Sequence, residues 1–263
     1  MNILVCIKHV PDTETRVKVA PGGAGLDLGE ANFVVNPYDE YAVEAALQLK
    51  EKQGSGTVAI LTVGNDETVK SLRQALAMGA DKAVLCSDPC FEGSDARGVA
   101  RILAAAIKKA PFDIIFCGKH GVGDDNQQVG SLVATLLNIP AVTVVTSIDY
   151  SEAGAVRCHR EVEGGVEVVK ASMPCVITCQ KGLNEPRYPS LRGIMAAKKK
   201  EVATFKAQDL GIDPAQVGIA GAAFEIKGYE LPPPRPEGRV LGGEIDAQVK
   251  ELVHLLHDEA KVI

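Results

Sequence analysis

The 263-residue sequence has no surplus of basic residues: 28 Lys and Arg face 34 Asp and Glu. A formal charge of −6 removes the electrostatic case for nucleic acid or an anionic membrane as partner. Long apolar runs are also missing. Nothing approaches the roughly 18 apolar residues that span a bilayer, so no membrane insertion is expected. The opening Asn2-Ile3-Leu4-Val5-Cys6-Ile7 is too short for a secretory leader and lacks a basic lead-in, and is expected to form a first strand. Seven cysteines, at 6, 86, 90, 117, 158, 175 and 179, make an odd number in mostly apolar runs, as reduced buried thiols would. The pairs Cys86/Cys90 and Cys175/Cys179 lack zinc-knuckle spacing, so no metal is expected, and the compartment is expected to be reducing: a bacterial cytoplasm or a matrix-like space. No G-x-G-x-x-G follows the first strand, and neither a G-x4-G-K-[ST] loop nor an S-G-G-x-[DS] loop occurs. A standard dinucleotide fingerprint, a P-loop and a nucleotide-activating pyrophosphatase loop are thereby excluded. Spacing suggests no Ser/His/Asp or Cys/His set, and no catalytic residue is expected.

What is present is an ordinary globular composition, 46% hydrophobic and 24% charged, enough for a sizeable core. Up to about residue 140, β-branched runs at 3–7, 58–63, 83–86, 114–117 and 141–148 alternate with helical patterns. Val69/Leu72/Leu76, Val99/Ile102/Leu103/Ala106 and Val129/Leu132/Val133/Leu136 each mark one buried helix face. This predicts an α/β class: a mostly parallel sheet with helices on both faces and right-handed crossovers. Runs at 156–162 and 166–169 flank Gly164-Gly165 and predict an added antiparallel hairpin. After Pro186 the regularity fades. Lys198-Lys199-Lys200 is a basic run, and Pro232-Pro233-Pro234-Arg235-Pro236 reads as a stiff linker to a last amphipathic helix, Ile245/Val249/Leu252/Val253/Leu256. A nucleotide-binding α/β domain is expected over 1–225, and over 226–263 a proline-rich C-terminal arm whose helix packs on another chain or domain.

Three segments converge on the carboxyl edge expected of such a sheet, where open α/β folds bind ligands. Asn36-Pro37-Tyr38-Asp39 places Asn at an N-cap, Pro at N1 and an acid at N3 of a helix through 49; a good cap accounts for the same residues. Val63-Gly64 lets backbone approach a flat base, and a tight turn explains it equally. Gly118-Lys119-His120-Gly121-Val122-Gly123-Asp124-Asp125-Asn126-Gln127-Gln128-Val129 leaves a buried strand through a three-glycine loop into a helix. The N–H groups of Asn126, Gln127, Gln128 and Val129 would seat a phosphate there, with Asp124 and Asp125 capping the helix or holding ribose hydroxyls. A merely capped loop is the alternative. His120 and Lys119 have the types of a general acid and base, but nothing marks a substrate beside them. His254 and His257 share a face without a third ligand and read as solvated surface. Leu191, between Pro186/Pro189 and Gly193, lies in a segment too irregular for core structure; it either docks a partner or tucks onto its own domain.

Residues Leu183-Asn184-Glu185-Pro186-Arg187-Tyr188-Pro189-Ser190-Leu191-Arg192-Gly193-Ile194-Met195-Ala196-Ala197-Lys198-Lys199-Lys200 closely resemble the signature of the electron-transfer flavoprotein β subunit. Asn36-Pro37-Tyr38-Asp39-Glu40-Tyr41-Ala42-Val43-Glu44, Ala75-Leu76-Ala77-Met78-Gly79-Ala80-Asp81 and the loop of 118–130 match in the same order. The resemblance implies an adenine-nucleotide α-hydrolase-like (Rossmann-like) fold and a heterodimer with an α subunit that holds FAD, this subunit binding AMP structurally. It implies electron flow from acyl-CoA or related dehydrogenases to a quinone oxidoreductase. Carried over, the AMP contacts fall on Cys6, Asn36, Pro37, Tyr38, Asp39, Val63, Gly64 and the loop from Gly118 to Val129. Arg160 and Glu161 match the stretch holding the mobile flavin domain. Leu191, with Ile194 and Met195 beside it, matches the dehydrogenase anchor. Electron-bifurcating members carry a second FAD in place of AMP, use NADH, and commonly show threonines where this chain has Glu92-Gly93-Ser94-Asp95-Ala96-Arg97-Gly98-Val99. That favours the AMP type, although Val10-Pro11-Asp12-Thr13 and Gln127-Gln128-Val129-Gly130 stand closer to the bifurcating group. A stand-alone adenine-nucleotide sensor is the reading from another class; it needs neither the 183–200 segment nor the tethered last helix.

Overall fold

A computed structural model describes residues 1–235 and 237–263; Pro236, the end of the expected proline linker, lies outside the described residues. The chain divides into two units, 1–17 with 27–227, and 18–26 with 228–263. In chain order the strands are β1 (Asn2–Cys6), β2 (His9–Pro11), β3 (Lys18–Val19), β4 (Leu26–Asp27), β5 (Phe33–Val35), β6 (Thr57–Val63), β7 (Lys82–Cys86), β8 (Ile114–Gly118), β9 (Ala141–Asp149), β10 (Ala155–Val162), β11 (Gly165–Ser172), β12 (Cys175–Cys179) and β13 (Val202–Phe205). The first five helices are α1 (Pro37–Gln53), α2 (Val69–Met78), α3 (Ala96–Ile107), α4 (Val129–Leu137) and α5 (Leu191–Ala197).

The larger unit is built on a nine-stranded sheet in the order β11-β10-β9-β12-β8-β1-β6-β7-β13. From β9 to β13 every neighbour is parallel. The inner strands β12, β8 and β6 are buried on both faces, which is why they read as continuous apolar runs. Alternate residues serve opposite sides. Ile3, Val5, Ile114, Phe116 and Ile177 join α1 and α2 in one core, while Leu61, Ile115, Cys117 and Val176 join α3 and α4 in the other. Gly54, at φ 67°, ends α1 four residues later than the pattern implied, a left-handed cap that glycine adopts without strain. The expected hairpin is present: β10 pairs antiparallel with β11 and with β9, and the β9 pairing shifts register between His159 and Arg160. β9 also shifts register against β12 between Ile177 and Cys179, and there Val144 sits at φ 59°, an unusual conformation for a β-branched residue and a mark of a bulge.

The segment around Leu191 is not irregular throughout but holds α5, whose start is fixed by Ser190: the Gly193 N–H donates to Ser190 Oγ at 3.0 Å. Helix formation puts Leu191, Ile194 and Met195 on one face at spacings of three and four.

In the smaller unit Ala20 N–H donates to Gly25 O at 2.9 Å, closing a short turn beside β3, and Tyr229 N–H donates to Gly23 O at 2.9 Å. A last helix spans Ile245–His254 and runs into a wider turn over Leu255–Glu259. Its apolar residues Ile245, Val249, Leu252 and Val253 are exposed.

Candidate functional site

From β1 the chain crosses to β6 on one side, while β8 lies on the other. The order therefore reverses between β1 and β8, and a crevice opens past their carboxyl ends, the usual ligand position in doubly wound sheets. Cys6 ends β1 directly beside Cys117 of β8. Its hydrogen bond with Cys117, together with burial, pushes the Cys6 thiol well above its ordinary range. It is a packed thiol, not a nucleophile.

The Asn36-Pro37-Tyr38-Asp39 start of α1 sits in this crevice, and it acts differently from a cap. Asn36 is fully buried, and its side chain makes no capping bond to the helix. Its Nδ2 donates to His120 O at 2.9 Å, its Oδ1 accepts from Val122 N–H at 3.1 Å, and its own N–H donates to Lys8 O at 2.9 Å. Asp39 Oδ2 accepts from Lys8 N–H at 2.6 Å and Oδ1 from Gly118 N–H at 2.8 Å. The two residues staple the β1 exit, the β8 end and the glycine loop together. Burial pushes the Asp39 carboxyl up to about 7, against the opposing pull of those two N–H donors. A Cβ on Gly118 would lie 2.4 Å from Asp39 Oδ1 and 2.7 Å from Tyr38 Cβ, so only glycine fits. Gly64, which donates to Cys86 O at 3.1 Å, also has an internal reason. Thr68 Oγ1 stands 2.2 Å from where its Cβ would be, so packing of this chain already demands glycine beside Val63.

Within the loop, Lys119 places its ammonium 5.1 Å from the centre of the Tyr38 ring, and His120 meets that ring edge-on at 4.4 Å. His120 Nε2 lies 3.3 Å from Asp125, while Nδ1 is buried without a partner among the described residues. Burial lowers the His120 pKa and favours the neutral ring. Gly121 lets the Lys8 stem pass, since a Cβ would be 2.7 Å from Lys8 Cδ, and the Lys8 ammonium pairs with Asp124.

The helix start expected at Asn126 is three residues too early. Asp125 and Gln127 take φ of 49° and 54°, which breaks the helical path, and α4 begins at Val129. Gln128 N–H is spent on Asn126 Oδ1 at 3.3 Å. Asp124 and Asp125 do not cap α4; they pair with Lys8 and His120, and no side chain among the described residues caps it. The positive end of α4 thus faces the crevice through the first amides from Val129 onward. Gly130 lets α4 press on β12, where a Cβ would meet Thr178 Cγ2 at 2.6 Å. Lys8 carries no sign of this role in the sequence beyond being a lysine two residues past β1.

The remaining candidates lie elsewhere. Arg160, on β10, donates from Nε to Thr143 O at 3.0 Å, from Nη2 to Thr143 Oγ1 at 3.1 Å and from Nη1 to Glu167 at 2.8 Å. Glu161 accepts from Gln180 Nε2 at 2.7 Å. Arg160 therefore braces the bulge next to Val144. Leu191, Ile194 and Met195 are exposed on α5. His254 and His257 both contact Asp258, and no cluster of three or more His, Cys, Asp or Glu among the described residues is placed to hold a metal. Two surface concavities open away from the crevice, one by Arg101, Lys108 and Leu136 and one by Asn2, Thr57, Lys82 and Pro111.

Sheet order, switch point and outward-facing helix start make this a Rossmann-like α/β architecture. The family model described as "Electron transfer flavoprotein domain" matches residues 26–210. "Electron transfer flavoprotein subunit beta" of Bacillus subtilis is 42% identical, covering 100% of both chains, and that of Thermoanaerobacterium thermosaccharolyticum is 38% identical over 98% of each. The "Caffeyl-CoA reductase-Etf complex subunit CarD" of Acetobacterium woodii is 37% identical over 92% of each. The chain belongs to the electron-transfer flavoprotein family, as a β subunit. No helix among the described residues is long and apolar enough to cross a membrane.

Proposed function

We propose that this subunit binds AMP structurally in the β1/β8 crevice and docks acyl-CoA or related dehydrogenases through α5. Electrons then pass to FAD held by an α subunit and on to a quinone oxidoreductase. The chain serves as a carrier subunit and supplies no catalytic residue. The observation that carries the reading is the uncapped start of α4 facing the switch point. The surroundings fit a nucleotide: Lys8 offsets the charge of Asp124, the neutral His120 ring lies within hydrogen-bond reach of Asp125, and the buried His120 Nδ1 lacks a partner among the described residues. The amides of Val129 and its successors would hold the phosphate. Bound AMP supplies no redox chemistry; it fills and orders the crevice.

AMP suits the site better than a second FAD. The segment 92–99 holds no threonine, and Asp95 itself closes the start of α3. Its Oδ1 accepts from Gly98 N–H at 2.8 Å and its Oδ2 from Ala223 N–H at 2.8 Å. The relative named for a caffeyl-CoA reductase complex supports a CoA-ester oxidoreductase as the docking class. A stand-alone sensor leaves the exposed faces of α5 and the last helix without a role. Releasing the ligands from the purified heterodimer and separating them by chromatography tests the reading. One AMP per FAD is expected; two FAD without AMP would replace it with the bifurcating alternative.

A further inference from the structure

We infer that Arg187 is the positioning residue of the docking segment: forked onto two acids of α1, it holds residues 188–195 in the pose that a partner's groove meets. This rests on the docking reading above. Glu44 and Glu51 are seven residues apart, two turns along one face of α1. Arg187 Nε and Nη2 donate to Glu44 at 2.8 and 3.0 Å, while Nη1 and Nη2 donate to Glu51 at 2.6 and 3.1 Å. Its backbone N–H adds a bond to Glu44 Oε2 at 3.2 Å, and Asn184 Nδ2 donates to Tyr41 O at 3.0 Å. Glu44 is buried, and Gln48 Nε2 donates to it at 2.9 Å. A buried carboxylate is a poor route to stability; its better-attested use is to fix one geometry.

The far end of the segment is anchored as well. Arg73 Nη1 donates to Ala197 O and Lys200 O, each at 2.5 Å. Lys200 Nζ donates to Leu76 O at 3.2 Å and also to Ala80 O, capping the end of α2. Gly193 lies so close to Ala77 O that a Cβ would be 2.3 Å from it. Between the two anchors Tyr188, Leu191 and Met195 project at 96%, 84% and 62% exposure. Apolar anchors in exposed loops ordinarily lose freedom on binding; clamped ends remove that loss beforehand. An ionic fork leaves the apolar side chains unburied and available, which a hydrophobic clamp would not.

The test uses the complete complex with its flavin-bearing α subunit in wild-type, Arg187→Ala, Arg187→Lys, Glu51→Gln and Leu191→Ala forms. Two quantities are read: amide exchange across residues 191–197, and KM and kcat with an acyl-CoA dehydrogenase that reduces the wild-type complex. Arg187→Ala is expected to speed exchange and raise KM by about tenfold each, with kcat within about twofold. Lys recovers only part, since one ammonium cannot fork. Should Arg187→Ala fail to fold, Glu51→Gln removes half the fork and spares the buried pair, with smaller changes of the same kind. Leu191→Ala is expected to raise KM at unchanged exchange. Unchanged exchange in Arg187→Ala overturns the clamp, and so does faster exchange at wild-type KM while Leu191→Ala still weakens docking. If Leu191→Ala also leaves KM unmoved, the docking reading itself falls and takes the clamp's purpose with it.

Discussion

Shortening Leu191 to alanine separates docking from packing because the side chain is 84% exposed in this chain. So little of it touches its own fold that the loss of stability should stay within about 0.5 kcal/mol. Complete burial of a leucine in a partner's groove is worth about 2 kcal/mol. Most of that is still to be gained on docking, which corresponds to roughly a tenfold weaker encounter after truncation. Stopped-flow reduction of the α-subunit flavin by a dehydrogenase, followed against dehydrogenase concentration, should show the loss in KM. Thermal unfolding and the flavin spectrum should stay at wild-type values. A packing role predicts the reverse, a loss of about 2 to 5 kcal/mol in stability with normal transfer per folded molecule. That outcome refutes the docking argument outright.

Three other perturbations test the crevice and one tests the subunit contact. Asp39 holds its proton near 7 when folded against an ordinary 3.8, so its contribution to stability is complete below about 4 and lost as pH rises through 7. Asp39→Asn should flatten that slope in pH-dependent melting, from a lower starting stability because its amide nitrogen would face an N–H donor. Gly118→Ala should cost about 1 to 3 kcal/mol by overpacking against Asp39 and Tyr38, read as a lowered melting temperature. Val129→Pro removes a donor at the start of α4 and should lower the nucleotide retained through gel filtration; full retention in a folded heterodimer counts against the phosphate seat. Val249→Asp, on the exposed face of the last helix, should weaken association with the α subunit in sedimentation while the isolated chain melts unchanged.

The parallel sheet was legible because its inner strands are buried on both faces and carry little else than β-branched and apolar residues, as 58–63 does. Spacing on α2 and α3 gave the covering faces, whereas on α4 the expected face held only in part: Val133 is buried but Leu136 is exposed. What escaped depends on distant partners. Asp39 at the third position of a helix looks like an ordinary favourable acid, yet its Oδ1 is claimed by Gly118, 79 residues away. Asn36 has the type of a cap, but its amide is drawn off to the loop. The start of α4 was misplaced because neither Asp125 nor Gln127 announces a left-handed backbone. Helix α5 was hidden between prolines and a glycine, with Ser190 its only local signal. Arg187 looked like part of a signature string, because its acidic partners lie more than a hundred residues earlier.

The seven thiols equip this subunit with a built-in reporter of its own folding. Six are buried, and Cys90 alone, on the turn after β7, is partly open to solvent. Burial and the neighbouring Asp88 push even that thiol up to about 11. A thiol-reactive dye added to the native protein near neutral pH therefore meets almost no thiolate. Each opening of the β1/β8 sheet centre exposes Cys6 and Cys117 together. Counting labelled cysteines by mass over time would thus show which part of the sheet opens first, with no engineered label.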